Sequence, residues 1–338
     1  MATLGLVATE ARPLVDVRTR RVVAVVALAA VVAAAAVVGA TLLQTRGEHT
    51  SVPGAVTKPR AGRPPVLFDF GVRDDREARE LARGANLLNG KHVAAARAIF
   101  SRYHSVQAQI GLAFADWPRG GLRALKTLAA QHPDSPVVEY HLGWALYWSG
   151  RVAAAAAAWQ RVATRFPDSP ESVEAENQLY PSDQPGLPDL VLPVTLPAAP
   201  SRAAQLRLLA AAARKPDAGA KLRYGYFLWR LWHRLSAERQ FAAAARLAPR
   251  DPYARTAAAV ALFTKANPTR AFAHLGPLTA VFPRAPVVRF ELGLLLIATA
   301  QPQKGIAQLR IAAREAPRSS YAKVVRALLA RLQGAGTK

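Results

Sequence analysis

The sequence has no cysteine, so disulfide bonds and thiolate metal sites are excluded. Its 7 histidines include no pair at metal-ligand spacing, and glycine-rich phosphate loops and nucleophile elbows are missing as well. Glu139 and His141 come close to Asp134 in the chain, but their place in a helical pattern indicates ordinary surface residues. These absences predict a protein that is not an enzyme and that uses neither a metal ion nor a cofactor.

Acidic residues are scarce in the second half of the chain. Residues 191–338 contain 24 lysines and arginines against 5 aspartates and glutamates, a balance of +19, whereas residues 67–190 balance at −1. Such a field attracts anionic lipid, acidic polymer or an acidic protein, and nucleic acid only if this region lies in the cytoplasm. A solvated basic face without a dedicated ligand is the alternative. The residues assigned to the basic face are Arg207, Arg223, Arg234, Arg239, Arg246, Arg310 and Arg314.

Charge is also missing from a run that begins at Val22 and ends at Leu43. As a helix this run would be roughly 33 Å long, enough to cross the hydrocarbon core, so residues 22–43 are predicted to form a transmembrane helix. The short basic tail of residues 1–21 favours a cytoplasmic N-terminus, with the following chain outside a bacterial cytoplasmic membrane. A wider window removes this charge bias, and a cleaved signal peptide is the competing interpretation. Residues 44–66, rich in proline, are predicted to be a flexible linker.

A repeat of 34 residues lies between two copies of Pro-Asp-Ser-Pro, which begin at Pro133 and Pro167. Apolar residues recur at helical spacing after the first copy, and a Ser-Gly-Arg turn leads into a second apolar run. Gly143 in the first run leaves room for a neighbouring helix, while Ala155 and Trp159 in the second run fill the space between the two. The unit is therefore predicted to be a helical hairpin, which buries its faces only when several copies stack.

The same period extends across most of the chain. Prolines at matching positions follow one another at intervals of 34, 49, 33, 34 and 34 residues. These prolines are Pro133, Pro167, Pro216, Pro249, Pro283 and Pro317. The single long interval indicates an insertion of about fourteen residues. The period predicts an all-α solenoid over residues 67–338, with about seven helix pairs, a proline-rich insertion at 181–200 and a capping helix at 319–333.

The order of these residues resembles the tetratricopeptide repeat, in which Leu-Gly, Ala, a large residue and Pro follow one another. The matching residues are Leu142, Gly143, Ala155, Trp159 and Pro167. The resemblance extends over most of residues 75–319. It implies an adaptor for protein or peptide partners, with roles such as envelope assembly, secretion or chaperoning, and the predicted transmembrane helix would anchor this adaptor in the membrane.

The resemblance also implies that the first helix of each unit lines a groove for extended or helical peptides. In the central unit this helix carries an aromatic stripe opposite Leu142, and aromatic anchors suit hydrophobic peptides. Packing of these aromatic residues against neighbouring units is the alternative. The residues assigned to the groove are Tyr140, Trp144, Tyr147, Trp148, Leu222, Tyr226, Trp229, Arg230, Phe263 and Phe290.

The insertion at 181–200 contains 6 prolines and cannot form a regular helix. It separates residues 171–180, predicted to be the first helix of a unit, from residues 201–214, predicted to be its second helix. A surface loop is one interpretation of the insertion. In the other, residues 187–196 lie extended in the groove of the solenoid itself and occupy the ligand site.

Overall fold

The structure, a computed structural model, describes residues 58–335, with side chains as far as residue 330. The predicted tail, the transmembrane segment at 22–43 and residues 44–57 of the linker lie outside the described residues. Among the helices within 58–335, none combines the length and the apolar character that crossing a membrane requires.

All regular secondary structure in residues 58–335 is helical, which confirms the predicted all-α fold. The helices, in chain order, are α1 Arg76–Asn89, α2 Val93–Phe100, α3 Val106–Ala115, α4 Gly121–Gln131, α5 Pro136–Trp148, α6 Val152–Arg165, α7 Pro170–Leu179, α8 Arg202–Ala212, α9 Ala218–Arg230, α10 Arg234–Leu247, α11 Pro252–Val260, α12 Thr269–Leu275, α13 Leu278–Val281, α14 Pro286–Ala298, α15 Pro302–Glu315 and α16 Ser320–Ala335.

Local sequence signals fix where many of these helices begin. The side chains of Asp75, Ser105 and Asp217 each accept a hydrogen bond from a backbone N–H in the first turn of the helix that follows. Pro136 and Pro286 occupy the first helical position, where no intrahelical N–H bond is lost. The repeated prolines therefore mark helix starts as well as unit boundaries.

Consecutive helices pack in pairs, namely α1 with α2, α3 with α4, α5 with α6, α9 with α10, α11 with α12 and α14 with α15. The first helices of the pairs, together with the unpaired α7 and α16, also contact one another in two rows. The N-terminal row is α1, α3, α5 and α7, and the C-terminal row is α9, α11, α14 and α16. Each row presents a continuous surface built from several units, as the stacking of hairpins requires.

Close approach of paired helices depends on glycine opposite a large side chain. A Cβ atom at Gly143 would overlap the indole ring of Trp159, and one at Gly225 would lie 2.8 Å from the ring of Phe241. The Trp159 indole N–H also donates a hydrogen bond of 3.2 Å to the Tyr140 carbonyl oxygen. The glycine and the large residue of the sequence motif are therefore direct packing partners in the α5–α6 and α9–α10 hairpins.

Four of the hairpin turns have a left-handed residue at the second position after the first helix. Gly150 has φ of 76°, and the equivalent residues Lys91, Trp232 and Ala300 have φ of 68°, 60° and 55°. Only glycine adopts this conformation without a steric cost from Cβ. Three of these four turns therefore carry a residue that the conformation disfavours.

We expect Ala300→Gly to raise the free energy of unfolding by about 0.5–1 kcal/mol, because removing Cβ relieves strain that exceeds the entropy cost of glycine. The reciprocal change, Gly150→Ala, should lower the free energy of unfolding by about 1 kcal/mol. Urea denaturation followed by circular dichroism checks both changes. A destabilised Ala300→Gly variant would contradict the role of this turn.

The predicted unit around the insertion is not a helix pair, so the prediction was wrong there. Helix α7 packs against α5 and α6, whereas α8 packs against α9 through Leu209, Phe227 and Leu231. The chain between α7 and α8 runs along the C-terminal row and forms no second helix against α7.

The two halves of the solenoid meet around the turn that precedes α7. The Asp168 side chain accepts a hydrogen bond of 2.9 Å from the Ser236 N–H in the first turn of α10. The Asp168 carbonyl oxygen accepts another, of 2.8 Å, from Nδ1 of His233. The turn before α7 therefore caps α10, and this contact joins the two halves without a regular hairpin between them.

Candidate functional site

The aromatic stripe of α5 forms a cluster on the N-terminal row. Tyr140 is buried, and Trp144, Tyr147 and Trp148 are partly buried. The ring centroid of Trp144 lies 5.3 Å from those of both Trp148 and Trp159, in edge-to-face geometry. The cluster is therefore part core and part surface.

Residues 58–72, which we call the N-terminal segment, cover this row. The Arg60 N–H donates a hydrogen bond of 2.9 Å to the Trp148 carbonyl oxygen at the end of α5. The Arg60 guanidinium carbon lies 4.0 Å from the centroid of the Tyr147 ring, a cation–π contact. The aromatic cluster therefore holds a piece of chain that has no regular secondary structure.

Two polar side chains bind the backbone of the N-terminal segment. Asn89 at the end of α1 donates to the Val66 carbonyl oxygen (2.8 Å) and accepts from the Val66 N–H (2.9 Å). Nε2 of His141 accepts a hydrogen bond of 3.2 Å from the Leu67 N–H. These contacts use main-chain groups and so do not depend on the side chains of the bound segment.

His141 is fully buried, which corrects its assignment to the surface. Because Nε2 accepts from Leu67, Nδ1 carries the proton and donates it to the Val137 carbonyl oxygen at 2.7 Å. Phe68, Phe114 and Tyr140 surround the ring. Burial lowers the pKa of His141 to about 4, so the imidazole is neutral at physiological pH.

We expect the stability conferred by His141 to be complete above its unfolded pKa of about 6.5 and to fall as the pH drops towards 4, because the unfolded state binds the proton first. The full loss is on the order of 3 kcal/mol. The measurement is urea denaturation at several pH values for the natural chain and for His141→Gln, which should lack this part of the pH dependence. His92→Gln, at an exposed histidine, should retain it.

The proline-rich chain lies along the C-terminal row. We call residues 184–197 the insert segment. Its Leu187, Leu190 and Leu192 are only 8, 6 and 7% exposed, and they belong to the same apolar core as Trp229 of α9 and Phe290 of α14. The insert segment is therefore packed against the C-terminal row and is not a surface loop. That it occupies a ligand site stays a prediction.

Side chains from three units bind the backbone of the insert segment. The Trp229 indole N–H donates to the Pro188 carbonyl oxygen (3.0 Å) and the Tyr321 hydroxyl to the Val191 carbonyl oxygen (2.9 Å). Oε1 of Glu291 accepts from the Val191 N–H at 2.8 Å. Because these residues belong to α9, α14 and α16, the site exists only when the units stack.

An acidic pair lies at the centre of this contact. Glu291 is 1% exposed, and its Oε2 has no hydrogen-bond partner among the described residues. Burial raises the pKa of Glu291 well above its usual range, and the charge of Asp189 raises it further. Burial also raises the pKa of Asp189 to about 6. Charge on Asp189 at neutral pH therefore opposes docking of the insert segment.

Comparison with known proteins assigns part of this architecture to a family. A family model described as tetratricopeptide repeat matches residues 138–169, which include most of α5 and all of α6. The protein contains a tetratricopeptide repeat. This confirms the resemblance predicted from Gly143, Ala155 and Trp159. No curated protein matches the chain.

Several solved structures are similar to the chain at low identity. The TPR2AB domain of yeast Sti1 in its complex with pHSP90 is 15% identical, with a TM-score of 0.30, over 76% of this chain and 98% of that one. A tetratricopeptide repeat protein of Thermus thermophilus is 17% identical, with a TM-score of 0.25, over 78% of this chain and 100% of that one. Yeast Tom70 is 11% identical, with a TM-score of 0.29, over 83% of this chain and 67% of that one.

The groove residues predicted from the tetratricopeptide repeat pattern are divided between core and segment contacts. Leu222, Phe263 and Phe290 are buried in the core beside the insert segment, Tyr226 is partly buried, and Arg230 is exposed. The prediction missed the polar partners of the backbone. They are Asn89, His141, Glu291 and Tyr321.

The predicted basic face is exposed only in part. Arg223 is partly buried, and Arg234 is 6% exposed, so Arg234 does not belong to an exposed face. Burial raises the pKa of the carboxyl of Glu176, and the charge of Arg234 opposes this shift. The other members of the predicted face are exposed and form no ion pair within the described residues. They are Arg207, Arg239, Arg246, Arg310 and Arg314.

Proposed function

We propose that this protein is a non-enzymatic scaffold that binds extended segments of partner proteins along the first-helix rows of its solenoid. Residues 22–43 anchor it in a bacterial cytoplasmic membrane, with the N-terminus inside and the repeats outside. Its role lies in assembling or escorting other proteins at the membrane, as in envelope assembly, secretion or chaperoning.

One observation supports the binding role above all. Two stretches of this chain that lack regular structure, the N-terminal segment and the insert segment, lie along the two rows. In both cases side chains on first helices bind main-chain groups of the segment, as Asn89 does for Val66 and Trp229 does for Pro188. Surfaces that hold an extended chain in this way suit peptide segments of other proteins.

Site-specific photocrosslinking in membranes of cells that express the full chain tests the scaffold. A photoreactive amino acid at Tyr147 or at Arg230, each beside one row, should give an adduct of defined mass with a partner protein. The same amino acid at Gln160, exposed on the second helix α6, serves as the matched control and should give none. Adducts at Gln160 alone, or at none of the three positions, would contradict the proposal.

The anchor has a test of its own. The full chain should remain with the membrane after carbonate extraction, and a variant without residues 1–43 should be released. A reporter that is active only outside the cytoplasm, fused after residue 338, should be active. Release of the full chain by carbonate would contradict the anchor, and an inactive reporter would place the repeats in the cytoplasm.

A second candidate function is binding of an anionic polymer or lipid surface by the basic half. It is favoured by Arg310, Arg314 and Arg326, which line one shallow cleft of about 420 Å³ between α15 and α16. Binding to heparin or to vesicles of anionic lipid should weaken steeply with salt. Changing all three arginines to glutamine should flatten that dependence. An unchanged salt dependence would reject this cleft as the site.

A further inference from the structure

The contacts of the insert segment with the C-terminal row are of two kinds. Trp229 and Tyr321 donate hydrogen bonds to main-chain carbonyl oxygens, and Glu291 accepts one from a main-chain N–H. Every extended peptide offers such groups. The apolar contacts come from Leu190 and Leu192, which are two residues apart and therefore point to the same side of an extended chain. Neither kind of contact requires that the peptide belong to this chain.

The insert segment is an imperfect occupant of this site. Within the part of the chain that the structure describes, Oε2 of the buried Glu291 lacks a hydrogen-bond partner, and burial raises the pKa of this group. The residue of the segment whose charge acts on Glu291 is Asp189, which is also acidic and offers no donor above its own pKa. A peptide with a donor or a positive charge at that position would remove both defects.

We propose that the C-terminal row is a receptor site for an extended partner peptide that carries leucine at two alternating positions and a lysine, arginine or amide side chain beside Glu291, and that the insert segment occupies this site until such a peptide displaces it. The proposal rests on the scaffold function and specifies the ligand and the regulation of one of its two rows.

Occupancy by the same chain sets the affinity that a partner must reach. A short tether gives the insert segment an effective concentration of the order of millimolar at the site. A partner peptide of equal intrinsic affinity therefore competes only at about millimolar concentration, whereas a peptide that pairs with Glu291 competes at lower concentration. The segment thus excludes weak ligands and admits those with the matching donor.

The test uses the full chain in detergent, with residues 187–196 replaced by an equally long glycine-serine linker in one variant. The probes are two labelled synthetic peptides, one with the sequence of residues 185–198 and one with the same sequence carrying Asp189→Lys. Fluorescence anisotropy should show saturable binding of both peptides to the linker variant. The Asp189→Lys peptide should bind about tenfold more tightly, and both peptides should bind the natural chain more weakly than the variant.

Matched controls make the result specific. A peptide with Leu190→Asp and Leu192→Asp should not bind the linker variant. In a Glu291→Gln version of the linker variant, the advantage of the Asp189→Lys peptide should disappear, while the native-sequence peptide still binds, because glutamine keeps an acceptor for the Val191 N–H.

Three results would overturn the proposal. In the first, the linker variant has natural helix content but binds neither peptide. In the second, both peptides bind the linker variant equally. In the third, each peptide binds the natural chain as tightly as it binds the linker variant. If the linker variant does not fold, the natural chain still decides the question. Elastase should then cleave its insert segment faster as the Asp189→Lys peptide is added, and no acceleration would also overturn the proposal.

Failure of the receptor site is distinguishable from failure of the scaffold function. One possible result is that Tyr147, beside the N-terminal row, gives partner adducts while no peptide binds at the C-terminal row. This result would support the scaffold function and would show that the insert segment is a permanent part of the core. The opposite result is peptide binding without adducts at either row. This result would support the receptor site on the C-terminal row but would contradict the scaffold function in the cell.

Discussion

Replacing Trp159 by alanine should lower the free energy of unfolding of the solenoid by about 3–5 kcal/mol. The indole is 5% exposed, contacts the backbone at Gly143 and donates a hydrogen bond to the Tyr140 carbonyl oxygen. Alanine would leave a cavity between α5 and α6 that the two helices cannot close by small shifts. Urea denaturation monitored by far-UV circular dichroism measures the change.

The contact of Trp159 with Gly143 makes the prediction sharper. Gly143→Ala alone should be destabilising, since its methyl group would overlap the indole. The same change in a Trp159→Leu background should be better tolerated, because leucine is smaller than tryptophan. Leucine occurs naturally at the equivalent position of the last hairpin, where Leu309 lies against Gly293. The coupling free energy from the double-mutant cycle should be about 1–2 kcal/mol. Additive effects of the two changes would contradict direct packing.

The second large effect concerns the insert segment. Leu190→Asp combined with Leu192→Asp should release it from the C-terminal row and increase elastase cleavage after Val191 and Val194 by about two to four orders of magnitude. Each buried leucine contributes roughly 1.5–3 kcal/mol to docking, and cleavage follows the population of the undocked state.

A single change on the same segment provides the control. Thr195 is exposed, so Thr195→Asp adds a charge to the insert segment without removing a buried contact. Its cleavage rate should stay close to that of the natural chain. Equal cleavage of the natural chain and of the doubly substituted variant would show that residues 184–197 do not dock.

Much of the helical architecture follows from the sequence because its causes are local. The 34-residue period identifies the hairpin, and the structure places Trp159 against Gly143 and Phe241 against Gly225 as the motif requires. Capping residues such as Asp75 and Asp217, and prolines such as Pro136, fix helix starts within the same few residues.

The path of the chain after α7 does not follow from local sequence signals, because it depends on contacts between distant residues. Val191 binds Glu291 and Tyr321, which follow it by 100 and 130 residues. No local sequence pattern predicts that such a segment docks on the C-terminal row and that no second helix pairs with α7. The prolines identify the insertion, but the sequence leaves open whether it forms a surface loop or lies along the solenoid.

The candidate sites were predictable in their apolar part and not in their polar part. Aromatic stripes point to Tyr147 and Trp229, whereas the role of Asn89 as a partner of backbone groups has no periodic signal. Glu291 did leave a signal, since it interrupts the apolar run of α14, as His141 interrupts that of α5. A polar residue within a strongly apolar helix is a reason to look for a buried hydrogen bond.

The central claim is that the first-helix rows bind extended chain through its backbone, and hydrogen exchange of the unaltered full chain tests it most directly. The amides of Gln184, Gly186 and Val191 donate to Ala298, Asn177 and Glu291. They should exchange at least about a hundred times more slowly than the same amides in a synthetic peptide of residues 182–198. Exchange at the rates of the peptide would contradict the account.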